Sequence, residues 1–169
     1  MSRPTTRWAP LTSTVLCLGG LGISTYLTVE HYSSSPTYAC PESATINCLK
    51  VTTSSYSELL GIPVALLGLL FFLAMTPLCL PFAWRWDNPW VPRLRLAGIT
   101  LGVAFVIYLV WAELFRIEAI CLWCTGVHAV TLALFAVVVL DSALRPIADV
   151  DSASDLPPRN AGCVANKGR

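Results

Sequence analysis

Four stretches of the chain carry no formal charge: Pro10–Val29, Leu59–Trp84, Leu96–Ala112 and Ala119–Leu140. A helix needs roughly 17–25 apolar residues to cross the hydrocarbon core of a bilayer. Each stretch comes close to that length, and Leu114, Phe115 and Ile117 carry the shortest one past Glu113. Only 12% of the 169 residues are charged and 55% are apolar, giving a mean hydropathy of +0.65. A soluble domain carries about a quarter charged residues, so this composition belongs to an integral membrane protein. The expected architecture is all-α: a four-transmembrane-helix bundle with helices over about 10–31, 60–83, 94–117 and 119–141. Pro63 suits a first helical position, where its missing N–H is no loss, and Pro77 and Pro81 should kink or end the same helix. A net charge of +1 argues against nucleic acid as a partner.

Lys and Arg set the expected orientation. Arg3 and Arg7 precede the first run, Arg85, Arg93 and Arg95 fall in the second loop, and Arg145, Arg159, Lys167 and Arg169 follow the last run. Lys50 alone lies in the first loop and Arg116 alone in the third, so nine cations face two and both termini are expected in the cytoplasm. Trp84, Trp86 and Trp90 read as an interfacial belt on that side. A short cytoplasmic tail covers 1–9. Residues 142–169, with Asp149, Asp151, Asp155, Pro157 and Pro158, read as a disordered cytoplasmic end. The alternative, that the first run is a signal peptide, lacks a small-residue cleavage site.

Seven cysteines divide by depth. Cys17 and Cys79 lie inside apolar runs, where a thiol acts as a small hydrophobe. Cys163, in the tail, reads as an inert reduced thiol. The other four fall on the outer side, where disulfides persist. Cys121-Leu-Trp-Cys124 opens the last run, and amides at a helix N-terminus stabilise thiolate. Cys40 and Cys48, with seven residues between them, are close enough in a polar loop for a disulfide. Alone, that pair reads as a static staple; beside a Cys-x-x-Cys on the same face, it reads as a shuttle. A four-cysteine metal site is disfavoured because the 40/48 spacing is wider than the structural zinc pattern.

A dithiol needs an electron acceptor, since thiol–disulfide exchange only relocates oxidation. No dinucleotide fingerprint, haem pair or iron–sulfur spacing is present, which leaves a lipid-soluble quinone of the menaquinone or ubiquinone type. His128 stands one turn beyond Cys124 and either assists proton transfer at the quinone or serves as a hydrogen-bonded polar residue in the bundle. His31 and Glu30 read as an ordinary interfacial pair, and Trp123 as a packing aromatic. Ser54, among Thr52, Thr53, Ser55 and Ser57, reads by itself as a loop or capping hydroxyl.

The order of these residues resembles the vitamin K epoxide reductase family, in particular its bacterial quinone-linked members. The resemblance covers roughly residues 10–140. It rests on Cys40 and Cys48 first, then Lys50-Val51 and Ser54, then Leu60-Gly-Ile-Pro63, then Cys121-Leu-Trp-Cys124. The disulfide-generating membrane protein of Gram-negative bacteria also has four helices and two pairs, but there the Cys-x-x-Cys comes first.

The resemblance implies a division of labour. Cys124 faces the quinone as a transient thiolate–quinone adduct or charge-transfer complex. Cys121 exchanges with Cys48, Cys40 takes electrons from an outside thiol protein, and Ser54 donates a hydrogen bond to a quinone oxygen. A short interfacial helix over Ser54–Leu60 is expected to cover the quinone. About 30 residues follow the last helix, too few for the fused thioredoxin-like domain of many bacterial relatives. A separate exported, DsbA-like thioredoxin-fold partner is therefore expected. Two rivals stand beside a thiol:quinone oxidoreductase: a quinone-epoxide reductase, and a non-enzymatic tetraspanning scaffold with a stapled loop.

Overall fold

The computed structural model describes residues 8–33, 38–41, 43, 45–86 and 88–154, with side chains described as far as 143. Helix α1 spans Trp8–Tyr32 and the short α2 Cys48–Thr52. A two-residue ribbon, β1 (Glu58–Leu59) with β2 (Ile62–Pro63), leads into α3, Val64–Cys79. After α4 (Pro81–Trp84) comes α5 (Trp90–Ala112), a π turn over Glu113–Ile117, and α6 (Leu122–Ser154). Three segments are long and apolar enough to cross a membrane: Trp8–Tyr32, Trp90–Ile117 and Leu122–Ala143. Helix α3 is apolar but shorter, 16 residues or about 24 Å. Helices α1, α3, α5 and α6 close a ring in that order, each packed on its two neighbours.

The element boundaries follow local chemistry. Helix α3 begins four residues later than the apolar run suggests because Leu60 and Gly61 form a tight turn, both at positive φ (55° and 79°). That pairing over a two-residue loop is the I′ hairpin geometry, which glycine adopts freely and leucine at some cost. The helix stops at Cys79 because Leu80, preceding Pro81, is driven to extended backbone (φ −61°, ψ 146°). Helix α6 runs on to Ser154, thirteen residues beyond the expected limit of 141. Cys163 and the end of the expected tail lie outside the described residues.

The carbonyls freed at the end of α3 are taken up by neighbours, as an apolar setting requires. Thr14 Oγ1 and Trp84 Nε1 donate to the Cys79 carbonyl (2.9 and 3.0 Å), and Arg95 Nε donates to that of Leu78 (2.9 Å). The Arg95 guanidinium lies 3.7 Å from the centroid of the Trp84 ring. Trp84 is thus buried beneath an arginine rather than standing in an interfacial belt with the exposed Trp86 and Trp90. Nearby, Cys17 and Cys79 are fully buried in an apolar cluster with Met75, Ile99 and Leu134. Glycine sets how closely α3 approaches its neighbours: a Cβ at Gly20 would overlap the Phe72 ring, and one at Gly102 would sit 2.7 Å from Phe71.

At the opposite end the π turn closes on Glu118, a left-handed residue (φ 53°), and the chain reverses. Ile46 and Ile120 then form a parallel bridge, with Ile120 N–H donating to the Thr45 carbonyl at 2.9 Å and Asn47 N–H to that of Ile120 at 3.1 Å. This three-residue splice carries the first loop onto the entry to α6.

Candidate active site

The splice determines where the cysteines go. Cys48 follows Asn47 and opens α2, with the Asn47 side chain capping the helix by accepting the Lys50 N–H at 2.8 Å. Cys40 and Cys48 are joined by a disulfide with a Cα separation of 6.3 Å. Ahead of Cys40, Ala39 is held from two directions: its N–H donates to the Tyr26 hydroxyl (3.1 Å), and its carbonyl accepts from Trp123 Nε1 (3.0 Å). The Tyr26 and Trp123 rings pack with centroids 4.9 Å apart. Trp123, between the two cysteines of the Cys-x-x-Cys, is therefore a clamp on the first loop as well as a packing aromatic.

Cys121 and Cys124 are free thiols. Helix α6 starts at Leu122, which places Cys121 at the capping position and Cys124 at the third helical residue. The Cys124 N–H donates to Cys121 Sγ at 3.3 Å, a sulfur version of the usual N-cap bond. The Cys121 carbonyl accepts from both the amide (2.9 Å) and the hydroxyl (3.0 Å) of Thr125. Hydrogen bonding from the Cys124 side chain, helped by the backbone amides of Cys124 and Trp123, holds the Cys121 thiol below its ordinary pKa although burial pushes the other way. Cys121 shares a buried cluster with Cys48, Val51, Ile117 and Ala119, and Cys40 and Cys124 pack on its margin. Cys40, Cys48, Cys121 and Cys124 thus meet at one end of the bundle.

Beneath that cluster lies a cavity of about 360 Å³, enclosed by α1, α3, α5, α6 and the first loop. This size and an apolar lining with a few polar groups are usual for a small organic ligand. Phe71, Phe72, Leu101, Phe105 and Leu109 supply apolar wall. Cys124 lines it, and so do Ser54 and His128. The sequence-predicted quinone ligands are therefore gathered around one space, with Cys121 on its far side toward Cys48. His31 also lines this space.

Ser54 arrives there differently from expectation. Its hydroxyl donates to the Val51 carbonyl at 2.7 Å, closing α2, and must release that bond to donate elsewhere. The expected helix over Ser54–Leu60 is absent. The short helix lies earlier, at Cys48–Thr52, and turns and the β1–β2 ribbon follow it. The reason is local: Ser54 and Ser57 hydroxyls take the Val51 and Ser54 carbonyls (2.7 Å each), bonding that competes with helix propagation.

Further polar residues line the cavity that sequence reasoning did not single out, Glu113, Ser24 and Tyr38 among them. Glu113, 7% exposed, has no hydrogen-bond or ion-pair partner for its carboxyl among the described residues. Ser24 is buried with its hydroxyl unpartnered among the described residues. Tyr38 keeps its phenol protonated, because burial pushes its pKa above the usual value. A carboxylic acid inside an otherwise apolar run was the one available signal, and it pointed to Glu113. Arg116 Nε donates to the Tyr56 hydroxyl at 2.7 Å, fastening the loop to the π turn at the cavity rim. Among the described residues, no three His, Cys, Asp or Glu side chains cluster as a metal site would need.

Residues 11–139 match the model of the vitamin K epoxide reductase family. The chain belongs to that family. Its members are membrane oxidoreductases, generally linked to quinones, so the chain is a membrane redox enzyme.

Proposed function

We propose that this vitamin K epoxide reductase family member is a membrane thiol:quinone oxidoreductase that keeps a separate exported thioredoxin-fold protein oxidised. The observation that carries this reading is the split between the two cysteines of the Cys-x-x-Cys. Cys124 lines the cavity, while Cys121 packs with Cys48 on the loop side. Such an arrangement suits a relay with one thiol for each neighbour.

In this mechanism the partner's dithiol attacks the Cys40–Cys48 disulfide at Cys40, and the partner leaves oxidised. The Cys48 thiolate attacks Cys121 of an oxidised 121/124 pair and releases Cys124. Cys40 then resolves the Cys48–Cys121 bond, which leaves Cys121 and Cys124 reduced and the loop pair oxidised. Two electrons pass through Cys124 to the quinone, and the 121/124 disulfide reforms. A quinone pool suits this sink, since a strongly oxidising partner at about −120 mV needs an acceptor of higher potential. The cavity's apolar wall would hold the ring, with Ser54 and His128 at its polar edges. Four membrane spans, with both termini in the cytoplasm and the cysteines outside, complete the reading. The Lys and Arg distribution supports it, and so does the gathering of both pairs at one end of the bundle.

The test is quinone reduction by full-length protein in lipid nanodiscs, with dithiothreitol as electron donor and menadione as acceptor. Wild type turns over, and Cys124→Ala does not. Unimpaired turnover by Cys124→Ala would mean that the cavity-lining thiol is not the electron donor.

A further inference from the structure

Reduction of a quinone consumes two protons as well as two electrons. In the balanced step the S–H bonds of Cys121 and Cys124 break, one S–S bond forms, and two O–H bonds form on the quinol. Two electrons leave the sulfurs for the ring. The thiol protons must therefore travel to two oxygen atoms within an apolar cavity. Cys121 is fully buried and does not itself line the cavity.

We propose that Glu113 is the proton-transfer residue of this step, taking the proton of the Cys121 thiol and delivering a proton to one quinone oxygen. The inference rests on the thiol:quinone reading and adds a residue to it. Glu113 stands at the last turn before the chain reversal that leads to Cys121. Its own carbonyl anchors that reversal by accepting the Ala119 N–H at 3.3 Å. Its side chain lines the cavity together with Cys124 and His128, and among the described residues nothing pairs with it. Ionisable side chains at membrane depth are rare and most often mark proton or substrate paths.

The carboxyl ends each turnover in its starting state, because the proton gained from sulfur equals the one passed to oxygen. The other titratable groups on this space are Cys124 and His128 of α6, His31 of α1, and Tyr38 and Tyr56 of the loop. Helix α3 contributes none, and Arg116 is bonded to Tyr56.

The experiment compares wild type, Glu113→Gln and Glu113→Asp in nanodiscs, again with dithiothreitol and menadione. The readouts are kcat across pH 5–9, its solvent deuterium isotope effect, and the rate of thiol exchange at Cys40–Cys48. The pH-rate profile reports the whole cavity, so the Gln variant must remove one limb and leave the rest. Glu113→Gln should lower kcat at least tenfold, enlarge the isotope effect and leave loop exchange intact, while Glu113→Asp recovers part of both kcat and the missing limb. Wild-type kcat and profile in Glu113→Gln would overturn the proposal. Loss of loop exchange in parallel with kcat, or equal loss in the Gln and Asp variants, would also overturn it by making Glu113 structural. If wild type fails to reduce menadione, or Cys124→Ala still reduces it, the thiol:quinone reading itself falls. An unimpaired Glu113→Gln beside an inactive Cys124→Ala removes only the role of the carboxyl.

Discussion

Asn47 donates its backbone N–H to the Ile120 carbonyl across 3.1 Å, so Cys48 and Cys121 each follow a residue of the same hydrogen bond. Two cysteines 73 positions apart in sequence are registered by a backbone splice rather than by their own side chains. The Asn47 side chain meanwhile caps the helix that Cys48 opens. Asn47→Ala keeps the splice and removes the cap, which costs about 1 kcal/mol. That corresponds to a roughly fivefold faster opening of α2, measurable as amide hydrogen exchange at Lys50. Exchange between Cys48 and Cys121 should slow with it. Unchanged protection at Lys50 would show that the cap contributes nothing.

The thiol of Cys121 is held below its ordinary pKa chiefly by the side chain of Cys124. A lowered pKa keeps a thiolate available as pH falls beneath about 8.5, the usual value for free cysteine. Removing that donor leaves burial, which raises the pKa, less opposed. The Cys121 midpoint should therefore rise in Cys124→Ala, and rise less in Cys124→Ser, whose hydroxyl can still donate. Thiolate absorbance titrated on the two variants, which share every other thiol, isolates the difference. Equal midpoints would remove the hydrogen bond as the cause.

What the chain disclosed before its structure, and what it withheld, divides along sequence distance. Apolar runs report directly on helices, so α1, α5 and α6 were legible, and Cys-x-x-Cys at a helix start gave the dithiol its place. The exact reach of α3 was not, because it depends on the Leu60–Gly61 turn and on the extended Leu80 rather than on hydropathy. Trp84 was misplaced for a related reason: a tryptophan among arginines looks interfacial until Arg95 is seen to fold over its ring. Ser54 and His128 were legible as residues of interest. That Glu113 faces the same space depends on the π turn, which has no hydropathy signature.

Gly20 admits the Phe72 ring against α1, and Phe72 also forms cavity wall. Gly20→Ala must displace the ring, and the cavity is the open side. Overpacking costs about 1–3 kcal/mol, and the low end applies where a ring tip can swing into free space. The expected result is a lower Tm together with a several-fold rise in the menadione KM, with kcat less affected. A lower Tm without a change in KM would mean that the ring yields away from the cavity.

Trp123 ties the dithiol helix to the first loop through a hydrogen bond to Ala39 and to α1 through a ring contact with Tyr26. Trp123→Phe retains an aromatic ring against Tyr26 but loses the indole N–H, worth about 1 kcal/mol as a net hydrogen bond. The Ala39 N–H bond to Tyr26 remains, so the loop should loosen without detaching. The consequence should be confined to the electron-entry side. Oxidation of a reduced thioredoxin-fold protein through Cys40 slows several-fold, whereas menadione reduction driven by dithiothreitol, a small donor that needs no docked partner, holds near wild type. Trp123→Ala removes both contacts and should extend the first defect while raising protease sensitivity between Tyr32 and Cys40. A fall in both activities together in Trp123→Phe would instead place the indole within the quinone chemistry.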